Sequence, residues 1–394
     1  MRSLRRSAPR PHFPVGGPVP GEDLVGRDGY LRAAAARLDD GAHIVISGPR
    51  RIGKTSIILE ALRRLRKRGA LVAYVDCLAA TDLRSLGEAL ADAALANVTG
   101  LDRTVSAARE LAAGARIGRA RFDDLAPALE LARERSATRA FELALDVPRA
   151  VAARSGKRVV VALDEFQAAG RLGPRAFDVM RARFQAQRGV SYAFLGSEEG
   201  VLAALFGSRG SAFYRFAQPL ELTDPAGPRF GIAPDEWLRY LVRKFAAKRV
   251  RLTERDADRI LDATGGHPQD TMQLCARLYE LAHETARRDV DADLILVAYE
   301  RAMRELERPF ALQWEELGRH KYLQQVAKRI AHGAVLYADD GIVPRAEVLR
   351  ALDGLRARGL AVRLGRGRYE FVEPMFADHV RRTDERSAAA ILVR

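Results

Sequence analysis

The sequence contains only two cysteines, Cys77 and Cys275, and they lie far apart in the chain. This excludes a disulfide framework and offers no metal-ligand spacing, so both are expected to be buried free thiols. Long apolar runs are also absent, and strand-sized runs such as residues 159–163 are among the longest. None approaches the roughly 18 apolar residues of a membrane span, and Pro and Gly stand where a signal peptide needs an apolar stretch. The sequence therefore predicts a cytoplasmic protein with no membrane segment, and a disordered basic tail at residues 1–20.

What remains is the composition of a globular protein, with 48% hydrophobic and 29% charged residues. The 394 residues are enough for two or three domains. The net charge of +14 permits an acidic partner, namely nucleotide, nucleic acid or an anionic membrane. It does not choose between them, because an arginine-rich composition can arise from genomic base usage alone.

Strand-like runs alternate with helical patterns in the first half of the chain, which predicts an α/β fold with a parallel sheet. The runs are residues 43–47, 71–76, 158–163, 191–196 and 218–222. The first four are continuously apolar, so both faces of each strand are expected to be buried. We assign residues 21–222 to this core, with a helical insertion at about 81–153 that is interrupted at Pro127 and Pro148.

The second half begins after a Pro- and Gly-rich break at residues 223–234. Amphipathic patterns predict a helical domain over residues 223–309, with helices at 235–249, 254–264, 269–287 and 292–306. A third domain over residues 310–384 contains predicted helices at 312–319, 322–332 and 345–358. These precede an alternating stretch, 360–374, that turns at Gly365–Gly367 and predicts a β-hairpin. Helices followed by a hairpin form a winged-helix layout, and residues 385–394 are assigned to a tail.

The segment GPRRIGKTS at residues 48–56 fits the pattern G-x-x-x-x-G-K-[ST], with a predicted strand before it and a helix after it. In such a loop, backbone amides and the helix start solvate phosphate oxygens, and glycine allows close approach. Lys54 is expected to reach the β- and γ-phosphates, and the Thr55 hydroxyl to ligate Mg²⁺. The expected nucleotide-binding residues of the loop are Gly48, Pro49, Arg50, Arg51, Ile52, Gly53, Lys54, Thr55 and Ser56.

The segment VVVALDEFQ at residues 159–167 ends a buried strand with two carboxylates. Asp164 is placed to hold Mg²⁺, and Glu165, which points in another direction, is placed to act as general base for an attacking water. The alternative is a solvated strand end, which the phosphate loop upstream disfavours. Ser197 follows the next strand, in FLGSEEG. It either contacts the γ-phosphate or orients the water, or it caps the following helix, and both roles are compatible.

These segments, together with TGGHPQD at residues 264–270, resemble the archaeal-type ATPases of the STAND class of P-loop NTPases, which are relatives of the AAA+ proteins. The opening VGRDGYLRAAAARL at residues 25–38 and the winged-helix layout fit as well, so the resemblance covers about residues 23–380. It implies an extra strand between the phosphate-loop strand and the carboxylate strand, and a helical domain that forms a lid. It also implies that His267 and Pro268 pack against adenine, and the alternative for these two residues is an ordinary helix–helix turn.

The resemblance implies an ATP-binding and ATP-hydrolysing switch, slow and magnesium-dependent, that couples nucleotide state to domain rearrangement or partner binding. ATP rather than GTP rests on the resemblance and on the lack of a suitably placed N-K-x-D motif. Arginine-finger candidates are Arg171, Arg209 and Arg215, and oligomerisation and a protein partner stay open. The alternative is a nucleotide-dependent DNA-binding regulator whose winged helix meets DNA through basic side chains. The winged helix can equally serve as an internal packing module. The basic side chains are Arg350, Arg356, Arg358, Arg363, Arg366 and Arg368.

Overall fold

The computed structural model describes residues 11–97, 134–197, 199–222, 228–338, 341–365 and 367–392. The chain divides into two compact units. The first, here called the sheet unit, comprises residues 27–48 and 54–222. The second, the helical unit, comprises residues 1–26, 49–53 and 223–394. Five residues of the predicted phosphate loop, Pro49–Gly53, therefore group with the helical unit, whereas the residues on either side of them group with the sheet unit.

The sheet unit is built on five parallel strands in the order β2-β3-β4-β1-β5. This confirms the predicted α/β fold and parallel sheet. The strand β4 lies between β1 and β3, which is the extra strand that the resemblance implied. Every residue of β3 is buried, as its continuous apolar run predicts. The strands are β1 (Ile44–Ser47), β2 (Leu71–Asp76), β3 (Val159–Asp164), β4 (Val190–Gly196) and β5 (Gln218–Pro219).

Six helices accompany the sheet in the described part of the chain, and an aromatic cluster fills part of the core. The rings of Phe166 and Phe194 have their centroids 5.2 and 5.4 Å from that of Phe213. Both cysteines are buried and unpaired, as expected, and burial raises the pKa of each thiol. The helices are α1 (Asp28–Asp39), α2 (Lys54–Lys67), α3 (Leu83–Leu95), α4 (Ala137–Ser155), α5 (Ala176–Gln185) and α6 (Glu199–Gly207).

The predicted insertion at 81–153 contains α3 and most of α4, but the expected interruption at Pro148 is wrong. Helix α4 continues through Pro148 to Ser155. A proline inside a helix costs about 3 kcal/mol. Its neighbours Val147 and Val151 are fully buried, and burial of each apolar side chain contributes about 1.5–3 kcal/mol, which offsets that cost. Pro127 and the rest of residues 98–133 lie outside the described residues.

The helical unit contains seven helices and a β-hairpin within the described part of the chain, and one predicted gap between helices in it is wrong. The sequence predicts separate helices at 292–306 and 312–319, whereas helix α10 continues through Pro309 and buries Phe310 and Leu317 beyond it. The separation into a lid and a winged helix stays a prediction. The elements are α7 (Pro234–Ala246), α8 (Glu254–Thr264), α9 (Pro268–Glu284), α10 (Ala292–Gly318), α11 (Leu323–Ala331), α12 (Arg345–Ala357), β6 (Ala361–Gly365), β7 (Arg368–Phe371) and α13 (Pro374–Leu392).

The two predicted tails are partly ordered. Phe13 is only 2% exposed, and its ring lies 4.9 Å from that of Phe245 in α7. His12 Nε2 lies 2.8 Å from the carbonyl oxygen of Lys244. Residues 11–20 are therefore anchored by an apolar side chain that the sequence pattern does not reveal, while residues 1–10 lie outside the described part. At the other end, α13 continues to Leu392, through most of the stretch that the sequence assigns to a tail. Among the described helices, none has both the length and the apolar character that crossing a bilayer requires.

Candidate functional site

The loop that joins β1 to α2 has the backbone of a phosphate-binding turn. Gly48, Arg51 and Gly53 all have positive φ, at 152°, 64° and 93°. No atom would lie within 4 Å of a Cβ at Gly53, so its backbone angle rather than crowding favours glycine there. Helix α2 begins at Lys54, whose Nζ donates to the carbonyl oxygen of Gly48 at 2.8 Å. The lysine is 6% exposed, and its ammonium group lies against the first residue of the loop.

Thr55 and Asp164, the two predicted magnesium ligands, are in direct contact. Thr55 Oγ1 donates to Asp164 Oδ2 at 2.6 Å, across 109 residues of sequence. Thr55 lies in the first turn of α2, and Asp164 is the last residue of β3. Asp164 is 4% exposed. The fold therefore brings together the hydroxyl and the carboxylate that the separate motifs predicted.

Tyr74 is a partner of Asp164 that sequence reasoning missed. Its hydroxyl donates to Asp164 Oδ2 at 2.9 Å, while the backbone N–H of Glu165 donates to Oδ1 at 2.9 Å. Burial, together with the charge of Asp164, raises the pKa of Tyr74, so the phenol stays a donor. Tyr74 lies on β2, which pairs with β3 in the sheet. The only sequence signal for this contact was a tyrosine among the apolar residues of β2. The contact can be predicted only when the strand order is known.

Glu165 lies in a left-handed conformation, with φ 47° and ψ 44°, immediately after β3. A non-glycine residue held in this region costs of order 1–3 kcal/mol. Two side chains donate to its Oε2, namely the hydroxyl of Ser197 at 2.9 Å and the amide of Gln167. Within the described residues, Oε1 accepts no hydrogen bond. The carboxylate is thus fixed through one oxygen, with the other available to take a proton.

Gln167 is a second side chain of the candidate site that the sequence prediction missed, and its amide donates to Glu165 Oε2. It is 7% exposed and lies two residues after Glu165. A Cβ at Gly196, the last residue of β4, would stand 2.3 Å from Gln167 Oε1. Glycine at the end of β4 therefore makes room for the amide that holds Glu165. Ser197 donates its hydroxyl to the Glu165 carboxylate at 2.9 Å, and its expected contact with phosphate or water stays a prediction.

The remaining loop residues have different surroundings. Ile52 and Ser56 are buried, whereas Arg50 and Arg51 are exposed. Arg51 Nη1 forms an ion pair with Glu373 Oε2 at 2.6 Å, and both residues belong to the helical unit. The arginine is 41% exposed, but the carboxylate is only 10% exposed. A residue of the phosphate loop therefore pairs with the residue that precedes α13.

His267 and Pro268 belong to the helical unit, where they begin helix α9. His267 Nδ1 accepts the backbone N–H of Asp270 at 3.3 Å, and Pro268 is the first helical residue. The ring is fully buried, edge-on to Phe230 at 5.1 Å. Within the described part of the chain, His267 Nε2 has no hydrogen-bond partner, and neither has the buried Nε1 of Trp237. The turn therefore caps a helix, and it leaves two buried polar groups that a polar ligand would satisfy.

A metal at this site needs ligands from outside the chain. No group of three or more His, Cys, Asp or Glu residues is placed to hold a metal within the described ranges. Thr55 and Asp164 supply one hydroxyl and one carboxylate, a donor set that suits a hard cation completed by water and phosphate oxygens, as Mg²⁺ is. The residues present therefore fit a magnesium–nucleotide complex. Among the finger candidates, the Arg215 guanidinium lies 5.5 Å from the centre of the Tyr214 ring, and no geometry selects one of the three.

Comparison with known proteins identifies a matching domain and similar folds. Residues 32–216 match the family model of an ATPase domain found predominantly in Archaea. The fold is similar to that of a Walker-type ATPase of Pyrococcus abyssi, with a TM-score of 0.67 and 17% identity, over 94% of this chain and 99% of that one. It is also similar to the ORC2 protein of Aeropyrum pernix, solved as ADPNP–ADP complexes, with a TM-score of 0.59 and 17% identity, over 97% and 99% of the two chains. No curated protein matches the sequence.

At these identities the solved structures show the fold alone, and the STAND class is narrower than the match, so it stays a prediction. Residues 32–216 thus match an archaeal-type ATPase domain, and the chain has the P-loop NTPase fold.

Proposed function

We propose that this protein binds Mg·ATP at the phosphate loop and hydrolyses it, and that nucleotide state is coupled to a structural change. The observation that carries the proposal is the 2.6 Å hydrogen bond from Thr55 Oγ1 to Asp164 Oδ2. It joins the start of the helix after the loop to the end of β3, where P-loop NTPases hold the magnesium of their nucleotide. A glycine-rich turn that bound no nucleotide would not require a carboxylate beside the first turn of the following helix.

Lys54, Thr55 and Asp164 supply the charge and the ligands. Lys54 offers a point positive charge to phosphate oxygens, in exchange for its present hydrogen bond to Gly48. Thr55 and Asp164 are the residues that would hold magnesium, directly or through water. When bound, that ion neutralises charge on the β- and γ-phosphate oxygens. Tyr74 keeps the Asp164 carboxylate in one orientation through its 2.9 Å hydrogen bond.

Glu165 is the proposed general base. Ser197 and Gln167 hold its Oε2, and this leaves Oε1 to accept a proton from the attacking water. The proposal thus assigns Ser197 and Gln167 as positioning residues that act through Glu165.

The Arg51–Glu373 pair supports a switch rather than hydrolysis alone. A triphosphate in the loop would compete with Glu373 for the Arg51 guanidinium, because both are anions that arginine binds well. A carboxylate that is 10% exposed is costly to leave unpaired, so Glu373 and the start of α13 would have to adjust. We infer that the Arg51–Glu373 ion pair responds to whether a triphosphate occupies the loop. The assignment of His267 and Pro268 to the adenine remains a proposal, supported by the unpartnered Nε2.

A DNA-binding regulator is the weaker candidate. On α12, Arg350 and Arg356 already pair with Glu347 and Asp353 of the same helix, at 2.7 and 3.2 Å. Exposed pairs of this kind are worth about 0–1 kcal/mol, so DNA phosphates can displace them. However, nothing in the described hairpin or helix favours a DNA contact over internal packing, and we therefore do not propose this function.

The test is the rate of ATP hydrolysis by the parent protein, Lys54→Ala and Glu165→Gln. We expect Glu165→Gln to bind Mg·ATP with near-parent affinity but to lose about 10²–10⁴ in turnover, because the amide keeps the size and removes the base. Lys54→Ala is expected to lose nucleotide affinity itself. Equal turnover in all three proteins would refute the proposed activity, and calorimetry with Mg·ATP would separate a binding defect from a catalytic one.

A further inference from the structure

A basic cleft opens at the end of the sheet where the interior strands β3 and β4 begin. Its volume is about 640 Å³, and four cationic side chains line it: Arg149, Lys157, Arg158 and Arg188. The other lining residues are alanine and glycine. The cleft lies where β3 and β4 begin, whereas Asp164 stands at the far end of β3. A strand of six residues is about 20 Å long, so the cleft is separate from the proposed nucleotide site.

The four cations have no anionic partner in the described part of the chain. No carboxylate lines the cleft, and none of the four side chains forms an ion pair with a described residue. Nearby Arg183 behaves differently, since it pairs with Glu142 at 3.1 Å and with Asp146 at 2.8 Å. In a chain rich in arginine, what distinguishes the cleft is this concentration of unneutralised charge around a concave surface.

Helix dipoles do not balance this charge. Helices α4 and α5 both end beside the cleft, at Ser155 and Gln185, and each carboxyl end carries roughly half a negative elementary charge. Two ends supply about one negative charge against four positive ones. The cations therefore stabilise the helix ends and still leave an excess of about three positive charges for a ligand.

The backbone beside the cleft leaves space for the side chain of Arg158. A Cβ at Gly41 would lie 2.8 Å from Arg158 Nη1, and Gly41 has φ +92°. The turn between α1 and β1 thus leaves room for the guanidinium, which is the least exposed of the four cationic groups. Alanine and glycine elsewhere in the lining allow a ligand to approach closely. No aromatic ring is among the described residues that line the cleft, so nucleobases have no platform there on which to stack.

From these features we propose that the cleft binds a ligand carrying at least two phosphate groups and recognises the phosphates rather than a base. The backbone of single-stranded nucleic acid and free polyphosphate share this chemistry. The binding does not require ATP hydrolysis, so the cleft is a second anion site of the sheet unit.

The experiment titrates the full chain with two probes, a labelled 20-nucleotide single-stranded DNA and tripolyphosphate, in saturating Mg·ADP so that the phosphate loop is filled. The variant Arg149→Gln/Arg188→Gln removes two exposed charges from the cleft. Arg255→Gln/Arg288→Gln removes two exposed charges from the helical unit and is the matched control. We expect the cleft variant to lose at least tenfold in affinity and the control to stay within twofold. For DNA, the slope of log K against log salt should become shallower by about 1.4, at about 0.7 for each phosphate that is no longer neutralised.

The two probes identify the source of the phosphates. Loss of DNA affinity in the cleft variant alone indicates a nucleic-acid backbone, and the same loss with tripolyphosphate alone indicates a free polyphosphate. Equal losses in the cleft variant and the control would show attraction to net charge only and overturn the site. The absence of binding by either probe to the parent would overturn it as well. Lys157→Gln, a single change at an exposed position, repeats the test if the double variant unfolds.

Discussion

At the scale of single residues, the candidate site depends on which oxygen of Glu165 is held. Ser197 and Gln167 both donate to Oε2, from the end of β4 and from the segment after β3. Neither side chain can touch a reacting atom through that hydrogen bond, so the role proposed for each is to orient Glu165, the proposed base. This distinguishes a positioning role from a direct contact with phosphate.

Ser197→Ala tests this role. We expect kcat for ATP hydrolysis to fall roughly tenfold with little change in KM, a smaller loss than the roughly 10²–10⁴ expected when the general base itself is removed. The matched control is Ser191→Ala, which removes a buried hydroxyl on β4, the strand that precedes Ser197, where it donates to the Leu38 carbonyl at 2.8 Å. The same loss of kcat in both variants would argue against a specific role of Ser197.

At the scale of elements, the start of α13 connects three parts of the helical unit. Glu373 pairs with Arg51, and the backbone N–H of Met375 donates to Asp270 Oδ2 at 3.2 Å. The other oxygen of Asp270 lies 3.2 Å from His267 Nδ1. The segment that begins α13 therefore contacts both a phosphate-loop residue and the turn that begins α9. A change at Arg51 has a short covalent and hydrogen-bonded route to His267.

Glu373→Gln tests this connection. If a triphosphate competes with Glu373 for Arg51, removal of the carboxylate charge should tighten Mg·ATP binding about fivefold, which corresponds to about 1 kcal/mol for a partly exposed pair. The control is Glu370→Gln in the neighbouring strand β7, which removes the pair with Arg229 at 3.2 Å and leaves Arg51 untouched. Calorimetry at one salt concentration measures both. Unchanged or weaker binding by Glu373→Gln would exclude the competition.

At the scale of the whole molecule, the two units can be followed separately, because both tryptophans, Trp237 and Trp314, lie in the helical unit. Tryptophan fluorescence therefore reports that unit, and hydrogen exchange of the β4 amides reports the sheet unit. The sheet unit also contains a half-buried titratable group, His43, whose ring stacks on Phe216 with the centroids 4.4 Å apart. Its Nδ1 accepts the backbone N–H of Tyr192 at 3.1 Å.

Burial, and the nearby charge of Arg181, lower the pKa of His43 to about 4 from the ordinary 6.5. Between these values the unfolded chain binds the proton and the folded one does not, so stability is lost as pH falls from 6.5 toward 4. Allowing for the part of the ring that solvent reaches, we expect a loss of roughly 1 kcal/mol at about pH 5 relative to about pH 7.5. Hydrogen exchange of the β4 backbone amides measures this loss of stability. His43→Gln should remove this part of the pH dependence, and an identical dependence in parent and variant would contradict the assignment.

Much of the fold was predictable because its signals are local. The continuously apolar run of β3 reports burial of both faces, and the glycines of the phosphate loop report backbone angles that other residues rarely adopt. The predicted interruptions of helices at Pro148 and Pro309 were wrong because a local preference of about 3 kcal/mol was set against burial of distant apolar surface. Phe13 was missed for the same reason, since a single aromatic residue in a polar segment becomes an anchor only when α7 is beside it.

The sequence by itself determined the parts of the candidate site, since Lys54, Thr55, Asp164 and Glu165 carry their chemistry in their side chains and in the strand and loop that precede them. Only the tertiary structure decided the partners. Tyr74 reaches Asp164 because β2 pairs with β3, and Gln167 reaches Glu165 because β4 ends in a glycine that makes room for it. A sequence motif consists of residues that are close together in the chain. The orientation of a carboxylate depends on groups that only tertiary packing brings within about 3 Å.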